Sequence, residues 1–278
     1  MLVNLNEVLK KAQKGKYAVG LFNTTDTDML QAVIEAAEES NSPVILGTAE
    51  VLLPYGELKL IAPSVIAAAK RAKVPVVVHY DHGLTFDRCI EALKLGFSSI
   101  MFDGSAKPYE QNIAETREMV KIAHAFGATV EGEIGHVGEA AKEDNLLTDM
   151  YTTPEEAKAY LEATGVDALA VAIGSAHGVY KKKPMLNIER LKEISGAVKV
   201  PLVLHGGSGL SDDDFKNTIR NGIAKVNIFT DLCLAGERAM KDGEEKKLGY
   251  LETRNLKVNY IKEAVKHKMA LFGSVNKA

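Results

Sequence analysis

The chain has 278 residues, 46% of them hydrophobic, which allows a large core of the size found in one barrel-type domain. A net charge of -3 offers no basic field for nucleic acid, and no apolar run nears the roughly 20 residues of a membrane span. The two cysteines, Cys89 and Cys233, lack CxxC spacing, and Met1-Leu2-Val3-Asn4 leads into a polar helix pattern without a signal-type apolar core, so a reduced, cytoplasmic protein is expected.

Residues 4–14 have the spacing of a short amphipathic helix, and 17–23 that of a first strand. Asp26 then caps a helix through Met29, Val33 and Ala37. A second strand spans 43–48, an alanine-rich helix 57–72, and a third strand 74–79. The next helix stops at Gly96, a natural C-cap. Strand four is 98–103, helix 108–126 follows, and strand five is 128–133. A long polar segment, 134–152, precedes a helix at 153–164 whose Thr153-Pro154-Glu155-Glu156 start supplies cap, proline and acids. Strand six is 167–173, strand seven 200–205 and strand eight 224–229, with helices at 187–195 and 211–222 between them. Helical stretches at 231–242 and 255–271 close the chain.

Repeated β-then-α units argue for a parallel sheet, and eight of them in about 250 residues for a closed barrel. The expectation is an α/β fold, a (β/α)8 TIM barrel, as a single domain over residues 1–278 with extra C-terminal helices. A doubly wound open sheet is the competitor, but no GxGxxG follows the first strand. The helix at 255–271 offers an apolar face through Leu256, Tyr260, Ile261, Ala264, Val265 and Met269, to a second copy or to its own barrel.

Active sites in such barrels lie at the C-terminal ends of the strands. Three strand ends run into His-Gly: Asp81-His82-Gly83, Ser175-Ala176-His177-Gly178 and Leu204-His205-Gly206. Three neutral imidazoles from separate strands make a zinc-type site with one coordination position open. Asp81 adjoins His82 and can reach substrate, or orient an imidazole. Asp103 and Glu133 are placed to bind a second, weaker cation or to support the histidines. Glu131 and Glu133 are expected to face opposite ways, with Glu133, nearer the tip, the functional one. Gly83 is expected to free the turn beside His82, and His79 to line the site or support Asp81.

A second constellation suits an anion. Gly206-Gly207-Ser208-Gly209 precedes the helix at Ser211, and Asn227-Ile228-Phe229-Thr230 precedes another. Loops after strands seven and eight commonly hold phosphate through backbone N–H groups and helix N-termini. Lys181, four residues after His177, adds charge. Metal and phosphate on one rim imply a small phosphorylated substrate whose carbonyl is polarised beside a carboxylate proton carrier, which suits reversible carbon–carbon cleavage.

Val78-His79-Tyr80-Asp81-His82-Gly83, Asp103-Gly104-Ser105, Glu131-Gly132-Glu133-Ile134-Gly135, Ala172-Ile173-Gly174-Ser175-Ala176-His177-Gly178, Leu204-His205-Gly206-Gly207-Ser208-Gly209 and Lys225-Val226-Asn227-Ile228 together resemble the class II, zinc-dependent fructose- and tagatose-bisphosphate aldolases, nearest the shorter tagatose-bisphosphate type. The resemblance implies that His82, His177 and His205 bind catalytic zinc and that Asp81 moves the proton of the C4 hydroxyl. It implies a second divalent cation at Asp103 and Glu133, and a monovalent cation, Na+ or K+, near the phosphate site. Gly178, Gly206, Gly207, Ser208, Asn227, Ile228, Phe229 and Thr230 would hold the dihydroxyacetone phosphate part, Asn23 the substrate backbone, and the protein would be a homodimer or homotetramer.

Three departures bear on the substrate. The loop acids of Val137-Gly138-Glu139-Ala140-Ala141-Lys142-Glu143-Asp144 are displaced by two residues relative to the family pattern, making Glu143 the candidate base, with Glu139 second. Ala49 stands where the family has a serine, and Phe229 where a polar residue is usual. A ketose phosphate of another length or stereochemistry, a non-catalytic sugar-phosphate-binding barrel, and a zinc hydrolase are the alternatives.

Overall fold

A computed structural model describes residues 1–135, 151–176 and 184–278. Eight parallel strands form a closed ring: β2 (Val19–Asn23), β3 (Val44–Ala49), β4 (Val76–Gly83), β5 (Ser99–Phe102), β6 (Thr129–Ile134), β7 (Ala168–Val171), β8 (Leu202–Leu204) and β9 (Ile223–Ile228). The ring closes where β9 pairs with β2, with Leu21 opposite Asn227. This is the expected (β/α)8 barrel. A further two-residue strand, β1 (Leu2–Val3), lies parallel to the start of β4 with Leu2 opposite Val76, and its brevity hid it from the sequence pattern.

The strands are continuous apolar runs because both faces are covered. On β3, Ile45 points into the barrel while Val44 and Leu46 pack against helices; on β7, Ala168 and Ala170 face inward and Leu169 and Val171 outward. Helix α1 (Leu5–Gly15) presents Leu5, Val8, Leu9 and Ala12 on one stripe, and this stripe joins the interior residues Val19, Leu21, Ile45, Val77 and Val203. The lower end of the barrel is thereby plugged with apolar side chains.

The outer layer is α2 (Thr27–Glu39), α3 (Leu58–Arg71), α4 (Phe86–Leu95), α5 (Tyr109–Ala125), α6 (Pro154–Thr164), α7 (Ile188–Ala197) and α8 (Asp212–Arg220). Their starts follow the sequence signals. Asp26 accepts hydrogen bonds from the Asp28 and Met29 amides, and Thr153 and Glu156 form a reciprocal cap around Pro154. Two last helices, α9 (Thr230–Glu245) and α10 (Tyr250–Phe272), pack on each other, and α10 also packs on α2. Of the apolar face read for α10, Ile261, Val265 and Met269 are buried in the chain's own core beside Val258 and Phe272, while Leu256, Tyr260 and Ala264 are half-buried.

The two glutamates of β6 do not face opposite ways. Side chains alternate with period two, so residues 131 and 133 share a face. Gly132 between them faces outward, where a Cβ would lie 2.8 Å from the Tyr160 hydroxyl of α6. Glu131 and Glu133 both point into the barrel.

Candidate functional site

Above the apolar plug the barrel interior turns polar. The strand β4 runs past its expected end at His79. His79 points inward, with Nδ1 2.8 Å from Ser99 Oγ, while Tyr80 points outward and donates to Glu50 at 3.0 Å. Asp81 and His82 then break the alternation. The β4–β5 pairing shifts register between Tyr80 and Gly83, and His82 takes φ 48°. This bulge re-aims His82 so that two consecutive side chains enter the mouth. A non-glycine residue held there costs about 1–3 kcal/mol. Gly83 is not the residue that makes the turn, contrary to the sequence expectation. Its missing side chain provides room instead, because a Cβ would fall 2.4 Å from Cys89 Sγ and 2.8 Å from the Met101 carbonyl oxygen.

Asp81 is buried, and two side-chain amides fix its oxygens. Asn23 of β2 donates to Oδ2 at 2.9 Å and Asn227 of β9 to Oδ1 at 3.0 Å. Burial works against the charge, but His82, Lys225, His205 and His79 around it hold the carboxyl well below the usual carboxylate range. Asp81 is therefore an ionised acceptor. Among the described residues, the Oδ1 atoms of Asn23 and Asn227 are buried without a hydrogen-bond partner, so two acceptors beside Asp81 await a donor or a cation.

His82 Nδ1 lies 2.8 Å from Asp103 Oδ2, and His205 Nε2 lies 2.8 Å from Glu131 Oε1. The remaining nitrogens, His82 Nε2 and His205 Nδ1, face each other at 2.9 Å, with the rings edge-on at 4.6 Å. Burial disfavours a charged His82 ring, but Asp81, Asp103 and Glu133 together push it up to about 9. Burial lowers His205. The contact is thus a protonated His82 donating to a neutral His205. Asp81, His82 and His205 bring ligand atoms within 4.8 Å of one another, as do His82, Asp103 and Glu133. Two imidazoles with converging nitrogens, each backed by a carboxylate, fit zinc, whose histidine ligands are normally oriented in this way. A metal would replace the proton between them.

Beneath this pair, Glu131 Oε2 accepts from Lys225 Nζ at 2.7 Å, with both side chains fully buried. Glu131 was expected to face away from the site, with Glu133 preferred, and Lys225 was expected only as part of its motif, without a role. The signal was present: Glu131 shares a face with Glu133, and Lys225 with Asn227. Asp103 Oδ1 is itself held by Ser105, through its amide at 3.0 Å and its hydroxyl at 2.7 Å.

On the other side of the mouth, Gly206 takes φ 66° and passes so close to the chain that a Cβ would lie 2.3 Å from the Ala176 carbonyl oxygen. Ser208 Oγ accepts from the Phe229 amide at 3.4 Å. The two neighbouring helix starts differ. At α8, Ser211 caps the helix and Asp212, Asp213 and Asp214 fill the first turn, which repels an anion. At α9, Phe229 gives no side-chain cap, and the single first-turn acid, Asp231, is paired with Lys268 at 2.8 Å, so the amides of Thr230 and Asp231 suit a ligand better. Thr230 opens that helix, while Ile228 is buried among outward-facing residues and offers only backbone. Ala49 ends β3 opposite Asp81 in register. Glu139, Glu143, His177, Gly178 and Lys181 lie outside the described residues.

A family model described as fructose-bisphosphate aldolase class-II matches residues 3–277. The chain belongs to this family. It is 42% identical to the Escherichia coli K12 protein YdjI over the full length of both, and 40% identical to a fructose-bisphosphate aldolase of Thermus caldophilus, again with both chains fully covered. The crystal structure of the YdjI aldolase superimposes with a TM-score of 0.92 at 39% identity over all of both chains. In this class-II aldolase family member, no helix among the described residues is long and apolar enough to cross a membrane.

Proposed function

We propose that the protein is a zinc-dependent aldolase that reversibly cleaves a phosphorylated ketose to dihydroxyacetone phosphate and an aldehyde. The observation that carries this reading is the ionised Asp81, fixed by Asn23 and Asn227, beside two imidazoles whose nitrogens converge at 2.9 Å. His82, His205 and His177 would hold the zinc, with Asp103 and Glu133 available to a second cation. Bound zinc supplies Lewis acidity to the ketose carbonyl.

In cleavage, Asp81 takes the proton of the C4 hydroxyl, and the C4–O bond becomes the aldehyde carbonyl. The C3–C4 electron pair stays with C3, where Glu143, or Glu139, returns a proton to give dihydroxyacetone phosphate. Asn23 and Asn227 keep both Asp81 oxygens aimed, and their free Oδ1 acceptors suit substrate hydroxyls or a monovalent cation. The Gly206, Gly207 and Ser208 backbone and the start of α9 would hold the phosphate, with Gly178 and Lys181. Ala49 and Phe229 point to a ketose phosphate other than the ordinary fructose bisphosphate. A homodimer or homotetramer belongs to the same reading.

The test is metal removal combined with proton exchange. Treatment with EDTA is expected to abolish cleavage and zinc to restore it. Exchange of a dihydroxyacetone phosphate C–H proton in deuterated water should follow the metal. Binding without any exchange would favour a non-catalytic sugar-phosphate-binding barrel.

A further inference from the structure

We infer that the buried Glu131–Lys225 pair dictates which ring nitrogen His205 offers, so that His82 and His205 meet the metal through opposite nitrogens, Nε2 and Nδ1. This rests on the metal reading above. Glu131 and Lys225 act through His205 and are positioning residues.

An ionised carboxylate only accepts hydrogen bonds. Glu131 Oε1 is 2.8 Å from His205 Nε2, so that nitrogen carries the hydrogen. In a neutral ring the lone pair then sits on Nδ1, the atom facing His82. On the other side, Asp103 Oδ2 is 2.8 Å from His82 Nδ1, which leaves Nε2 as the ligand atom. The two rings are held by mirror arrangements from different strands.

Lys225 makes the arrangement one-way. Its Nζ occupies Glu131 Oε2 at 2.7 Å, so the carboxylate cannot rotate or present a proton to His205. His79 Nε2 lies 3.9 Å from that oxygen, beyond hydrogen-bond range. Both members of the pair are fully buried, one inward-facing layer below Glu133 and Asn227. Two desolvated charges are an expensive way to fill a barrel interior, where apolar residues of similar volume serve stability as well or better. Their position against a ligand imidazole gives the expense a purpose.

Two measurements test this. In metal-free wild-type protein labelled with ¹⁵N-histidine, long-range ¹H–¹⁵N spectra assigned with a His205→Gln variant should show His205 as the Nε2–H tautomer. An Nδ1–H tautomer overturns the inference. The second uses the double variant Glu131→Gln/Lys225→Met, which leaves no unpaired buried charge and so keeps its fold. Its amide can turn to donate, which releases the tautomer. Zinc affinity measured by competition with a chromogenic chelator should fall about 10–100-fold. A cooperatively folded double variant binding zinc within about twofold of wild type overturns the inference. Wild-type protein that binds no zinc fails the metal reading instead, and the tautomer measurement still decides the lock.

Discussion

Asp81 and His82 are consecutive on β4, yet both side chains enter the same barrel mouth. A regular strand would send one of them into the helical layer. The register shift after Tyr80 and the left-handed backbone at His82 bring acid and imidazole together. A single strand thus delivers two different chemistries to adjacent points.

Replacing Asp81 by alanine separates these chemistries. The variant should keep its zinc, measured by metal analysis, because His82 and Asp103 are untouched. Turnover should fall by about 10²–10⁴, the usual contribution of a positioned acid–base group. Asn23 and Asn227 also lose their shared acceptor, so some loss of stability is expected. A zinc-loaded variant at the wild-type rate would remove Asp81 from the mechanism.

Gly83→Ala addresses the packing under the bulge. The added methyl meets Cys89 Sγ and the backbone oxygen of Met101, so urea unfolding should show a loss of about 1–3 kcal/mol. Adding Cys89→Ala should recover only part of it, because the backbone contact persists. Full recovery would mean that the thiol alone sets the limit.

The histidines give the metal-free protein a stability maximum near neutral pH. Burial, helped by Lys225, holds His79 neutral, down to about 3, whereas unfolded it titrates near 6.5. Between these values the unfolded chain binds the extra proton, so stability drops as pH falls, by up to about 1.4 kcal/mol per unit for this group. His82 behaves in the opposite way. With its ring raised to about 9, the folded chain holds the extra proton above 6.5, and stability drops as pH rises. Below about pH 4 the depressed Asp81, Asp103 and Glu131 add a further loss. Urea midpoints taken across the range should fall on both sides of about pH 6.5. Zinc should flatten the alkaline side, since it takes the place of the proton. An alkaline side that is flat without metal would contradict the account of His82.

The barrel was legible because the sequence alternates between buried strands and capped helices, each with its own period. Asp81, His82 and His205 were legible as a group because chemistry gathers at strand ends. Glu131 and Lys225 carried no role in the sequence because both sit one layer below the strand tips, where the chemistry of such barrels is expected. Period-two spacing from Glu133 and Asn227 locates them. The left-handed backbone at His82 left no trace in the sequence, where Gly83 invited the turn instead. The difference between the starts of α8 and α9 was readable from Asp212, Asp213 and Asp214, which make one helix start hostile to phosphate.

The pairing of β2 with β9 has a consequence for synthesis. Strand β2 pairs early with β3 on one side, but on the other side residues 19–22 find their partners only when 225–228 have been made, near the end of translation. Until then Glu131 waits as a charge without its lysine, and the interior cannot be sealed. A contact this distant in sequence makes assembly slow. The nascent chain therefore exposes unpaired strand edges for most of its synthesis, and truncation before residue 225 should yield an aggregating product rather than a smaller barrel.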